Sequence, residues 1–278
     1  MSHLIYCQIK QKTKSRIIQI MFVLLVIVMV ADPITTYIHF VNYPESANRI
    51  GQNAYQYWIL MNSANWGCSL YYNLFWFFPV LITGLIPYFE SRTNLDKLLI
   101  SRISRRKYLI SNFVSIFLFS FFFFLILLLI NLLVTVSLFP LSAQITEQYL
   151  AMQPNLGSFF SYIFSYSPLL LMLFYIFLNS IVVALFSIFS TAIQLLPFFN
   201  NIYTTLIVPA IIPYLITFFF DAIPSLFPYN ILMILQPAAS YALEAVISGR
   251  NILITLILWA CFIGIWVYAC HITKKDLL

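Results

Sequence analysis

The sequence predicts an all-α polytopic membrane protein, and three observations carry that expectation. The chain of 278 residues is 62% hydrophobic and only 8% charged, with a mean hydropathy of +0.94. Soluble domains are about one quarter charged, and a soluble fold has no interior large enough to hide this much apolar surface, so the excess faces lipid. The apolar runs continue for 20 residues and more. They lack the period-two alternation of a lipid-facing barrel strand and suit helices crossing a hydrocarbon core of ~30 Å. Finally, the basic residues gather in a few connections, as the positive-inside rule requires of cytoplasmic loops.

The elements follow in chain order. Lys10, Lys12, Lys14 and Arg16 precede the run IIQIMFVLLVIVMVADPITTYI. A basic segment and an apolar core resemble a secretory signal, but the chain retains them, so a first span over roughly 17–38 is expected. A loop containing Pro44, Glu45 and Arg49 leads to a second span over 66–89, with Trp66, Tyr71, Tyr72 and Tyr88 as interfacial aromatics at its ends. A charged connection over 90–111 precedes a third span over 112–139, closed by Pro140. A polar stretch then leads to a fourth span over 167–193. Pro197 and the Asn200–Asn201 pair break the following apolar region, and the fifth span is expected over 202–221. In 222–250, Pro224, Pro228 and Pro237 leave apolar pieces too short to cross. They read as re-entrant or interfacial outer helices, the second near 237–248. The sixth span covers 251–271. The whole chain thus reads as a single transmembrane domain, 1–278.

Charge tests this map. Placing both termini and the 90–111 connection inside leaves only Arg49 and Arg250 outside among the 14 basic residues. Basic termini on one side demand an even number of spans, and six fits. A multi-pass protein of the cytoplasmic membrane with both termini cytoplasmic is the expectation. The net charge of +6 therefore reports topology, and no nucleic-acid partner is expected. Cys7, Cys68, Cys261 and Cys270 have no metal-ligand spacing, while His3, His39 and His271 are scattered. No metal site is expected.

The 90–111 connection, ESRTNLDKLLISRISRRKYLIS, carries eight charges. From Asn94 to Arg102 it can form a short helix with Leu95, Leu98, Leu99 and Arg102 on one face, at i, i+3, i+4 and i+7. Ile100 and Ile103 lie off that face, so the helix calls for a second apolar surface besides the membrane. Ser104 is placed to cap the next helix. Arg105, Arg106 and Lys107 would anchor its cytoplasmic end, with Tyr108 at the interface.

Glu90, Leu98–Leu99 and then the phrase Ser101 to Tyr108 resemble the loop after the second span in type-2 ABC exporter permeases. There an acidic residue leaves the second helix, an amphipathic coupling helix follows, and S-(R/K)-x-S-R-(R/K)-x-(Y/F) opens the third. The layout of spans is similar along the whole chain, whereas the motif covers about 20 residues. The glycine usual after the acidic residue is replaced by Ser91-Arg92-Thr93-Asn94. The resemblance implies that Glu90, Leu95, Asp96, Leu98, Leu99 and Arg102 form a docking surface for a separate ATP-binding subunit. It also implies a homodimer or heterodimer of permeases, with ATP and Mg held by the partner ATPase. The sequence has no GxxxxGK[ST] phosphate cradle, so this chain is not expected to be an enzyme. A hydrophobic or amphipathic cargo is expected to move outward: an antimicrobial peptide or bacteriocin (in export or immunity), a drug or a lipid-like molecule.

Polar groups inside the spans bear on the alternatives. Asp32 lies ~24 Å along the first helix from Arg16. An intramembrane carboxylate is a functional candidate by default, but the headgroup level, where charge is cheap, is the favoured reading. Asp221 has a similar place at the end of the fifth span. Asn131, Asn179 and Gln194 suit hydrogen bonds between helices, with a translocation path as the sharper alternative. The abundant Phe and Tyr read mostly as lipid-facing bulk. An intramembrane enzyme would need clustered His, Asp, Glu or Ser–His groups at one depth. An ion-coupled carrier or channel would need several buried charges near the midplane, and only Asp32 qualifies. Dependence on an ATPase separates the exporter from both.

Overall fold

The computed structural model describes residues 2–43, 53–61, 65–84, 104–141, 159–196, 201–236 and 249–273. The described residues are helical with short connections, and five helices are long and apolar enough to cross a membrane. The chain is an all-α polytopic membrane protein. In lipid every backbone N–H and C=O must find a partner within the protein, which is why the apolar runs fold as helices.

Helix α1 (Ser2–Thr13) precedes the first long helix, α2 (Arg16–Asn42). A short helix α3 (Ala54–Tyr57) leads to a broken segment made of α4 (Trp66–Leu74), α5 (Phe77–Pro79) and a π turn, Val80–Gly84. Next come α6 (Arg105–Leu138), α7 (Phe159–Tyr166), α8 (Pro168–Gln194) and α9 (Ile202–Ala222). A 3-10 turn, Phe227–Tyr229, and α10 (Ile231–Leu235) precede α11 (Gly249–Thr273).

Helix α8 is the centre of the bundle, buried along most of its length and packed on α6, α9 and α11. Helix α6 packs in turn on α2. Side-chain register gives the directions. Phe22 meets Phe123 and Tyr37 meets Phe139, so α2 and α6 run parallel. Phe186 meets Trp259 and Phe189 meets Trp266, so α8 and α11 are parallel too. Gln194 reaches Thr205, which closes α8 and α9 into a hairpin.

The expected fourth, fifth and sixth spans match α8, α9 and α11 to within two residues at each end. Helices α2 and α6 are longer than the expected spans, and Arg105–Lys107 form the first turn of α6 directly after Ser104, as the sequence suggests. The second expected span is not one continuous helix over its described part. Pro79 has no N–H to give the Phe75 carbonyl four residues back, and the helix gives way at Phe75–Trp76. Its last residues, 85–89, lie outside the described set, as do all of 90–103 and the expected outer helix at 237–248.

Three features differ from expectation for physical reasons. The segment 53–61, expected as loop, is buried between α6 and α8, its entry fixed by an Ala54 N–H to Pro140 carbonyl bond of 3.0 Å. Tyr71 is buried instead of interfacial, at 2% exposure, because α4 turns that face into the bundle. The aromatics are also not mainly lipid-facing bulk. Trp58, Trp76, Tyr175, Phe75, Phe124 and Phe189 are among the largest fully buried side chains, and Trp76, Phe186 and Trp259 form an edge-to-face chain between helices.

Candidate functional site

Helix α2 meets a proline in mid-course and stays helical. Pro33 leaves the Met29 carbonyl without its intrahelical donor, a costly state in a buried, apolar setting. Asn131 of α6 supplies the missing donor, its Nδ2 lying 2.6 Å from that carbonyl oxygen. Asn131 is fully buried, and its place on α6 follows from the parallel register with α2.

One residue before Pro33, Asp32 is also fully buried, so it is not a solvated headgroup-level carboxylate. It sits against the N-terminus of α4, where helix N–H groups lack intrahelical partners and favour negative charge. Asn65, the N-cap of α4, donates from Nδ2 to Asp32 Oδ1 at 2.6 Å and lies 2.7 Å from Thr36 Oγ1. The Gly67 N–H also bonds the carboxylate. Thr35 and Thr36 hydroxyls both donate to the Asp32 carbonyl, and Trp66 Nε1 donates to Thr35 Oγ1 at 3.1 Å. A Cβ on residue 67 would overlap the Asp32 carboxylate, so only glycine permits this approach. Asp32 is thereby an N-cap supplied from another helix.

A second polar node lies on α8. Tyr71 of α4 donates its hydroxyl to Asn179 Oδ1 at 3.0 Å, and Asn179 Nδ2 bonds the Tyr175 carbonyl at 2.9 Å. The Leu235 carbonyl at the end of α10 receives Asn179 Nδ2 at 3.4 Å and the Tyr72 hydroxyl at 3.1 Å. The Tyr72 hydroxyl also lies 3.2 Å from the Leu60 carbonyl. Two segments too short to span, 53–61 and α10, are thus pinned to the central helix. In segment 53–61 Tyr57 packs on Phe40 and Phe139, and burial pushes its phenol up to about 12.

At the basic end, Ser104 occupies the N-cap position of α6, yet its side chain makes no cap hydrogen bond. Arg106 and Lys107 are exposed, whereas Tyr108 is buried at 4% exposure instead of lying at an interface. Helix α1 lies along α6, and the buried Lys12 donates to Ser115 Oγ at 2.9 Å. Glu90, Leu95, Asp96, Leu98, Leu99 and Arg102 lie outside the described residues.

Of the sequence-derived site residues, the structure places Asp32 and Asn131 around Pro33 and Asn179 in a separate node. Sequence reasoning missed Asn65, Gly67 and Tyr71. The Pro33 signal could have flagged the Met29 carbonyl as needing a donor, but not which amide supplies it. Among the described residues, no group of three His, Cys, Asp or Glu side chains is placed to hold a metal ion. Comparison with known protein families, curated proteins and solved structures finds no match to this chain.

Proposed function

We propose that this chain is the membrane-spanning permease subunit of an ATP-driven exporter similar to the type-2 ABC permeases. The observation that carries the reading is the connection from Glu90 to Tyr108: an acidic residue, a short amphipathic segment around Leu98–Leu99, and the phrase SRISRRKY. In support, α6 starts at Arg105, directly after the second serine of that phrase. Helix α6, which follows the connection, packs on α8 and α2 and so ties it to the bundle. The amphipathic segment docks on a separate ATPase subunit that binds ATP and Mg, and nucleotide-driven closure of two such ATPases levers the spans of a permease dimer. Cargo is hydrophobic or amphipathic and leaves the cytoplasm, where both termini of this chain lie.

The test is uncoupling. Leu98→Asp with Leu99→Asp should abolish ATP-driven export while leaving the permease inserted and its abundance within about twofold of the parent chain. Reversal of Arg105 and Arg106 to Glu should instead lower insertion, because those charges orient the span. Full export by the Leu98/Leu99 variant would remove the coupling role.

One observation favours a second reading, an ion-coupled carrier: Asp32 is a buried carboxylate in a spanning helix. Its engagement with Asn65 and the α4 N-terminus gives it a structural duty. Transport that persists without an ATPase and is lost in Asp32→Asn would decide for the carrier.

A further inference from the structure

A groove of about 570 Å³ lies outside every feature used above. It runs between α1, α2 and α6, on the side of α6 that faces the membrane. Ile9 roofs it from α1, Val23 forms one wall from α2, and Phe122 and Ile126 form the other from α6. Val23 and Phe122 remain more than half exposed, so the bundle itself leaves this groove open. Its length along α6, from Leu118 to Ile126, is ~12 Å, and the size is that of a small-molecule site.

The groove wall is apolar, and one end of it lies at the bend between α1 and α2, where the chain is basic. Thr13 and Gln19 line it where the chain bends between α1 and α2, and Gln19 Nε2 ties the bend by donating to the Thr13 carbonyl at 3.0 Å. Lys10, Lys14 and Arg16 are exposed around that bend. Lys12 is not part of this basic end, since it turns inward to Ser115. The first acidic residue of the chain is Asp32, and α6 contains none. Lys14 and Arg16 are thus exposed within three residues of the groove-lining Thr13 and Gln19, Lys10 holds its ammonium over the Tyr6 ring, and none of the three helices carries a carboxylate near this bend.

We propose that this groove binds an anionic phospholipid from the adjoining leaflet, with an acyl chain between α2 and α6 and the phosphate at the Lys14–Arg16 bend. The charge sign selects the occupant. A zwitterionic lipid fills the apolar body equally well but gains little from the cations, and a cationic amphiphile is repelled. Each surface Lys or Arg contributes about fivefold in affinity toward an anionic membrane component. The site does not depend on the exporter reading.

The test uses the purified full chain in mild detergent with Phe122→Trp as reporter, its signal corrected for the native tryptophans. Phosphatidylglycerol and phosphatidylcholine with identical brominated chains are the probes. Quenching of the reporter indole by the phosphatidylglycerol should reach half-maximum at a concentration on the order of tenfold lower than for the phosphatidylcholine. Lys14→Gln with Arg16→Gln should erase the difference. Because those charges also guide insertion, Val23→Phe with Ile126→Phe provides a variant that keeps them and fills the groove, and it should lose the phosphatidylglycerol quench. Equal quenching by both lipids would reduce the groove to ordinary lipid contact and overturn the proposal. So would absence of quenching by either lipid together with a dimer in light scattering, since a second copy would then cover the groove.

Discussion

Helix α2 and the segment Trp66–Gly84 each meet a proline in an apolar run, and they respond in opposite ways. Pro33 leaves α2 helical, whereas Pro79 coincides with a break and a π turn. The neighbours differ as well. Asn131 donates to the carbonyl that Pro33 frees, and among the described residues no side chain donates to the Phe75 carbonyl that Pro79 frees. Helix α9 agrees with α2: Pro209 frees the Thr205 carbonyl, and Gln194 Nε2 takes it at 3.1 Å. In a medium without water an amide from an adjacent helix satisfies the carbonyls that Pro33 and Pro209 free, while α9 continues through Pro213 with no side chain donating to the Pro209 carbonyl among the described residues. Helix α4 starts at Trp66 against α2, and the carboxylate beside Pro33 accepts from the Gly67 N–H in its first turn.

The largest expected effect tests that cap. Gly67→Ala should destabilise the protein by about 3 kcal/mol, because its Cβ displaces a buried carboxylate. Gly264→Ala is the control: a Cβ there meets nothing within 4 Å, and a helix interior gains about 1 kcal/mol from the change. Unfolding in mixed detergent micelles measures both, and equal effects would remove the Asp32–Gly67 contact from the explanation.

Next in size, Asn131→Leu should cost about 2 kcal/mol by orphaning the Met29 carbonyl. The cost should nearly vanish in a Pro33→Ala background, where residue 33 regains its N–H. A double-mutant cycle with coupling near zero would show that Asn131 does not serve the proline. Gln194→Leu should cost about 1 kcal/mol, again suppressed by Pro209→Ala, and additivity of those two changes would contradict the parallel between the helices. The smallest effect is local. Pro79→Ala should give residue 79 an exchange-protected amide bonded to the Phe75 carbonyl, and rapid hydrogen exchange there would place the cause of the break elsewhere.

The spans were legible in the sequence because long apolar runs bounded by proline, asparagine and basic residues admit few alternatives. Helix α9 starts where Asn201 signals, its side chain accepting from the Tyr203 N–H. The same runs hide what happens inside them. A continuous apolar stretch does not distinguish a straight span from Trp66–Gly84. Segment 53–61 is too short for a periodicity to declare it buried, and its burial comes from α6 and α8. Asp32 was legible as an unusual residue but not as a cap, because Asn65 and Gly67 lie more than 30 positions away in sequence. Tyr71 and Asn179 pair across 108 positions, beyond any local pattern.

These stitches bear on function through what they leave free. The node at Asn179 and the Asp32 cap fasten α10, segment 53–61 and α4 to the long helices, while the proposed coupling motif runs directly into the start of α6. The most direct test of that proposal is purification of the full chain from its native membrane in mild detergent, with mass spectrometry of what remains bound. A P-loop ATPase in near-equal amount to the chain is the predicted result. Repeated recovery of the chain alone, from preparations in which other ABC complexes stay assembled, would contradict it and turn attention to Asp32 as the site of ion coupling.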